Sequence, residues 1–106
     1  MEMNQDKPLI DMKKLEKVAP IIRNAAHPIR LRILDYLRQE GEARNVSQIT
    51  EAAESNQAAV SQQLRILKDQ GILLARREGN FVLYEIANRS VLYLLECIRH
   101  QDDCIV

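Results

Sequence analysis

The 106 residues contain no apolar run of membrane length and no secretory apolar core, so nothing directs the chain into or across a membrane. Neither internal repeats nor low-complexity segments occur, which argues against a solenoid or a linker array. Also missing are a glycine-rich phosphate loop, a paired nucleophile and base, and a metal-hydrolase motif. The two histidines, His27 and His100, fall on different predicted elements. An enzyme is therefore not expected, nor is a cofactor. Net charge is absent as well, with 15 Lys and Arg against 15 Asp and Glu. A zero sum argues against attraction to nucleic acid through bulk charge. The opening stretch, residues 1–8, is a polar tail that suits a cytoplasmic protein.

What is present is concentrated between Asn45 and Leu73. Asn45 is placed to cap a helix, with Gln48 three residues on to complete the reciprocal cap. Val46, Ile49, Ala52 and Ala53 then form one apolar stripe at helical spacing. A second helix starts at Ser55 or Asn56, and Ala59, Val60, Leu64 and Leu67 recur at three- and four-residue steps until Gly71 ends it. Two short helices around a tight turn are the layout of a helix-turn-helix. The second helix, about Gln57 to Gln70, carries Gln57, Ala58, Ser61, Gln62, Arg65 and Lys68 away from its apolar stripe. Amide, hydroxyl and guanidinium groups can match base edges in a major groove, which admits a helix. The bland alternative is an amphipathic core helix with a solvated face.

After the glycine come two β-prone runs around Glu78-Gly79-Asn80, which predicts a hairpin. Phe81, Leu83 and Glu85 should point to one side of it, and Val82, Tyr84 and Ile86 to the other. Arg76 and Arg77 on the first strand, with Asn80 at the turn, are placed to meet phosphates beside a groove. The alternative is an edge hairpin protected from aggregation by its charges. Charge is distributed to suit the first reading. Residues 55–77 hold four cations against one anion, +3, whereas residues 78–106 hold two against five, −3.

These segments together resemble the ArsR/SmtB-type winged-helix repressors of bacteria, over about residues 25–100. Ala26-His27-Pro28-Ile29-Arg30-Leu31-Arg32-Ile33-Leu34 is similar to that family's entry to its second helix. Val60-Ser61-Gln62-Gln63-Leu64-Arg65-Ile66-Leu67 resembles its recognition helix, and Gly71-Ile72-Leu73 and Arg77-Glu78-Gly79-Asn80 with Tyr84 resemble its glycine stop and wing. The resemblance implies a DNA-binding repressor. Two positions depart from the pattern: Glu54 stands where the family often has a turn glycine, and Gln62 where it often has histidine. Metal-sensing members commonly carry a Cys-x-Cys pair before the recognition helix or Asp and His ligands on the last helix. Here Asn45-Val46-Ser47-Gln48-Ile49 has no thiol, and the last helix offers Asn88, Arg89, Ser90 and Glu96, with His100 at its end. His100, Asp102, Asp103 and Cys104 on a terminal tail are a poor match to a preorganised site, so no metal is expected.

Two further amphipathic stretches flank this unit. Met12, Leu15, Val18, Ala19 and Ile22 form a stripe near one end, and Val91, Leu92, Leu94, Leu95 and Ile98 a broader one near the other, after an Asn88 cap. One small domain has little core to cover both, so Leu15, Val18, Ile22, Val91, Leu94, Leu95 and Ile98 are expected to pair subunits across a two-fold axis. Intrachain packing of the terminal helices is the alternative. Pro20 is expected to divide the first helix, and His27 to cap the second ahead of Pro28.

Cys97 and Cys104 are a candidate redox switch. Seven residues of continuous helix would hold them about 10.5 Å apart, beyond the roughly 7 Å reach of a disulfide. A bond within the chain therefore requires the helix to end near His100. A bond to the partner subunit, or two reduced thiols without a role, are the other outcomes. Oxidant-sensing relatives place a thiol on the second helix, where this chain has Leu34-Asp35-Tyr36-Leu37.

The expected architecture is a mainly α winged helix-turn-helix with a β-hairpin wing and about five helices. It comprises a polar tail 1–8, a domain 9–101 and a tail 102–106. The expected role is a homodimeric repressor on a palindromic operator, released by an effector of unknown identity or a redox signal. The runner-up is a winged-helix module that binds protein rather than DNA.

Overall fold

Local capping chemistry sets the element boundaries. The computed structural model describes residues 8–100. In order these form α1 (Met12–Ala25), α2 (Pro28–Glu40), β1 (Arg44–Asn45), α3 (Val46–Ala53), α4 (Gln57–Asp69), β2 (Leu73–Glu78), β3 (Phe81–Ile86) and α5 (Ser90–Arg99). The three strands make one antiparallel sheet in the order β1-β3-β2.

At the start of α3 the expected capping box is complete. The Asn45 Oδ1 accepts from the Gln48 amide at 2.9 Å, and the Gln48 Oε1 accepts from the Asn45 amide at 2.9 Å. α4 begins the same way, with the Asn56 Oδ1 accepting from the Ala59 amide at 2.8 Å. Its end is a Schellman turn: the Ile72 amide donates to the Leu67 carbonyl at 2.9 Å and the Gly71 amide to the Lys68 carbonyl at 3.0 Å. That geometry requires the left-handed angle of Gly71, φ 75°. The turn also delivers Ile72, fully buried, into the core.

The core is built by α2, α3 and α4 together with the root of the wing. Ile33, Leu34, Leu37, Ile49, Val60, Leu64, Leu67, Ile72 and Leu73 are all buried. α1 contributes only Ala25 to it, and α5 contributes Val91 and Leu95. α4 is thus seated against the domain by one side, and nothing buried lies on its other.

Three details differ from the sequence-based expectation. Pro20 does not divide α1, which runs through it for 14 residues. Side chains tie the turn after the proline: the Asn24 Nδ2 donates to the Pro20 carbonyl at 2.7 Å within α1 and to the Gln70 Oε1 at 3.1 Å, while the Arg30 Nη1 donates to the Asn24 carbonyl at 2.8 Å from α2. His27 occupies the capping position before Pro28 but forms no side-chain cap. The third strand, β1, extends the hairpin to a sheet through Arg44 opposite Tyr84 and Asn45 opposite Leu83. Two residues carry no alternation, so nothing in the sequence marks it.

Glu54 ends α3 with φ 54° and ψ 46°, the one side-chain-bearing residue in the left-handed region among those described. Its ion pair with Arg32, 3.8 Å and largely solvent-exposed, adds little. Glu54→Gly should therefore raise folding stability by up to about 1 kcal/mol, read as a higher urea midpoint. An unchanged or lower midpoint would show that the turn is not strained by its side chain.

α5 is fastened to α2 by charge. The Arg99 Nη2 lies 2.7 Å from both carboxylate oxygens of Asp35, and Arg38 lies 3.2 Å from Asp35 and 3.3 Å from Glu96. Burial works to raise the Asp35 carboxyl, but hydrogen bonds and charge from Arg99 and Arg38 outweigh it and hold it below its ordinary value. A carboxyl depressed in the folded state stabilises above its unfolded value, about 3.9, and that stability is lost as pH falls through the depressed value. Asp35→Asn should accordingly melt below the wild type at pH 7, with the gap closing in acid below about pH 4. A gap independent of pH would assign the effect to shape rather than charge.

Candidate nucleic-acid interface

α4 presents two unlike faces. Val60, Leu64 and Leu67 are fully buried, whereas Gln57, Ala58, Ser61, Gln62, Arg65 and Lys68 are exposed. Among the described residues, no hydrogen bond or ion pair engages the side chains of Gln57, Ser61, Gln62, Arg65 or Lys68. The other two amides of this region are already employed. Gln63 accepts from the Arg30 Nε at 2.6 Å, and Gln70 accepts from Asn24. The sequence therefore mixes structural and free glutamines, and the fold sorts them by face.

The wing places its two arginines differently. β2 and β3 pair with Arg76 opposite Leu83, Arg77 opposite Val82 and Glu78 opposite Phe81, joined by Gly79 (φ 63°) and Asn80. A glycine with positive φ at the first position and a residue with negative φ at the second is a type II′ hairpin turn. By this register Leu74, Arg76, Glu78, Phe81, Leu83 and Glu85 share one face, as expected. Leu73, Ala75, Arg77, Val82, Tyr84 and Ile86 share the other. Arg76 is tied down on its face, with its Nη1 3.1 Å from Glu85 and its Nε 3.8 Å from Glu78. Arg77 forms no ion pair among the described residues. Asn80 is exposed at the tip.

Two helices, α1 and α5, leave apolar surface exposed. Leu15, Ile22 and Ile98 are 42%, 49% and 41% exposed, and an apolar groove between α1 and α5 is walled by Val18, Ile21, Ile22, Val91, Tyr93 and Leu94. Val91 and Leu95 depart from the expected pairing stripe, being 2% and 5% exposed within the subunit's own core. An apolar stripe on α5 is wide enough to serve both walls, and these two residues face inward. Cys97 is exposed on α5, whereas Cys104 lies outside the described residues, as do Asp102 and Asp103. No helix among the described residues is long and apolar enough to cross a membrane.

The family model described as "Bacterial regulatory protein, arsR family" matches residues 27–74, from the first turn of α2 into the wing. An uncharacterized HTH-type transcriptional regulator of Methanocaldococcus jannaschii is 34% identical over 87 residues, 82% of this chain and 97% of that protein. The chain belongs to the arsR family. It is a DNA-binding transcriptional regulator and not an enzyme. The HTH-type transcriptional regulator NmtR of Mycobacterium tuberculosis is 34% identical over 94 residues, covering 88% of this chain and 77% of its own. Among solved structures of the arsR fold, the antimony-specific transcriptional repressor AntR superposes with a TM-score of 0.82 at 33% identity, covering 94% of this chain and 92% of that one. A homodimeric winged helix-turn-helix DNA-binding domain from Mycobacterium bovis, a possible ArsR-family regulator, does so with 0.71 at 33%, covering 94% and 93%.

Proposed function

We propose that the chain is a homodimeric repressor that sets α4 of each subunit into successive major grooves of a two-fold operator. One observation carries this: the polar face of α4 is exposed and unpartnered among the described residues, opposite a stripe of fully buried residues that anchors the helix. Gln57, Ala58, Ser61, Gln62 and Arg65 meet the bases, and Lys68, Arg77 and Asn80 meet the flanking phosphates, with Arg76 close by. The M. bovis relative is homodimeric. In this chain the partly exposed Leu15, Val18, Ile22, Leu94 and Ile98 supply the pairing surface. A charge-neutral subunit presents its basic surface twice in such a dimer, so binding is moderate and steeply salt-dependent. The repressor acts where the DNA is, in the cytoplasm.

Release completes the cycle through an effector or an oxidant. The exposed Cys97 is the described thiol for a redox route. Titrating the protein–DNA complex with oxidant, and separately with zinc, sorts the routes. Release by neither leaves a constitutive regulator or a small ligand of another kind.

Fluorescence anisotropy with a duplex from upstream of the protein's own gene, over a salt series, tests the core of the proposal. Moderate binding whose logarithm falls linearly with the logarithm of salt is the expected result. No binding even at low salt would instead favour a protein-binding winged helix. In the same assay Arg77→Ala, which removes one phosphate contact from each subunit, should weaken operator and random DNA alike and reduce the salt slope by about 2. Arg76→Ala should change it far less, because Glu85 and Glu78 already hold that guanidinium. Equal losses would show that the wing ion pairs open on docking.

A further inference from the structure

The geometry of α4 points to the bases that this chain prefers, an inference that rests on the major-groove docking proposed above. At about 100° per residue, the direction straight away from Val60, Leu64 and Leu67 falls between Ala58 and Gln62, with Arg65 within roughly 50° of it. Gln57, Ser61 and Lys68 lie further round, on the flank. Ala58, Gln62, Arg65 and Asp69 thus point most directly into a groove entered by this helix, and the first three are the ones that a polyanion does not repel. Asp69 shares the face one turn beyond Arg65, and its carboxylate keeps phosphate from closing over that end.

Each of the three has one preferred partner in a major groove. A methyl group such as that of Ala58 packs against the thymine methyl, a glutamine amide pairs in two-pronged fashion with adenine N6 and N7, and a guanidinium does so with guanine O6 and N7. Among the described residues no partner takes a Gln62 or Arg65 donor, which leaves them to bases. Along the axis the three are separated by four and then three residues, about 6 Å and 4.5 Å. With base pairs about 3.4 Å apart, they span roughly four consecutive pairs. We infer that each operator half-site presents a thymine, then an adenine, then a guanine to α4, in that order within about four base pairs. Gln62 and Arg65 are the specificity-determining pair.

Binding-site selection from a random duplex library tests this with the full-length protein. The wild type should enrich half-sites of that order, and replacing the adenine or the guanine should weaken its binding by roughly 5- to 150-fold. Gln62→Ala should lose the preference at the adenine alone, and Arg65→Ala at the guanine alone. Gln62→Arg should convert the adenine position to guanine, a change that a merely structural residue would not produce. Both side chains replaced are exposed, and unchanged melting temperatures check that the three variants fold. Variants that retain the wild-type consensus, or that lose affinity uniformly on selected and random DNA, would overturn the assignment. A wild type that binds duplexes without enriching a sequence would overturn it while leaving DNA binding intact. A wild type that retains no duplex at all would sink the docking proposal beneath it.

Discussion

Leu64→Ala should lower folding stability by about 2–5 kcal/mol, measured by urea denaturation with an unchanged slope. Leu64 is fully buried and belongs to α4, so truncation removes apolar contact and leaves a cavity behind the reading face. Domains of this size are stable by only about 5–15 kcal/mol, so the loss is a large share of the whole. Val60 and Leu67 flank the same seat and keep α4 in place at low temperature. DNA affinity should therefore survive at 10 °C and collapse on warming, as the folded fraction falls. A cost below about 1 kcal/mol would mean that neighbouring side chains close the void, and that α4 is less firmly seated than its burial indicates.

Ile22→Glu should abolish dimerisation without unfolding the subunit. Ile22 is 49% exposed in the isolated chain, so a carboxylate there stays hydrated and helix content should be unchanged. In a paired subunit the same carboxylate would sit in the apolar groove beside Tyr93 and Leu94, where a charge without a partner costs several kcal/mol. Sedimentation should then report a monomer. With only one recognition helix engaged, operator affinity should fall at least about 100-fold, because the second half-site no longer binds as part of the same complex. A dimer that persists with full operator affinity would move the pairing surface away from α1 and α5.

Much of this architecture is legible in the sequence because its signals are local. Asn45 with Gln48, Asn56, and Gly71 followed by Ile72 each act within six residues, and each performs the capping or turn expected of it. Gly79 and Asn80 likewise close a hairpin whose register sets its two faces. What escaped is decided at a distance. The helix continues past Pro20 into a last turn that Arg30 of α2 and Gln70 beyond α4 tie from outside. Asp35 meets Arg99 across 64 positions of sequence, and nothing local marks that pairing. Val91 and Leu95 share a stripe with Leu94 and Ile98, and periodicity alone does not say which part of a wide stripe faces inward. The tie between Arg76 and Glu85 is intermediate. It runs diagonally across a predicted hairpin, and follows once the Arg76–Leu83 register is known.

Methylation interference on the operator examines groove, helix and symmetry in a single measurement, because a methyl group on guanine N7 blocks the major groove and leaves the minor groove open. Two clusters of interfering guanines, centred about 10 base pairs apart or at a multiple of that spacing, are the predicted pattern. A single cluster, or binding indifferent to N7 methylation, would contradict a symmetric pair of α4 helices reading the duplex.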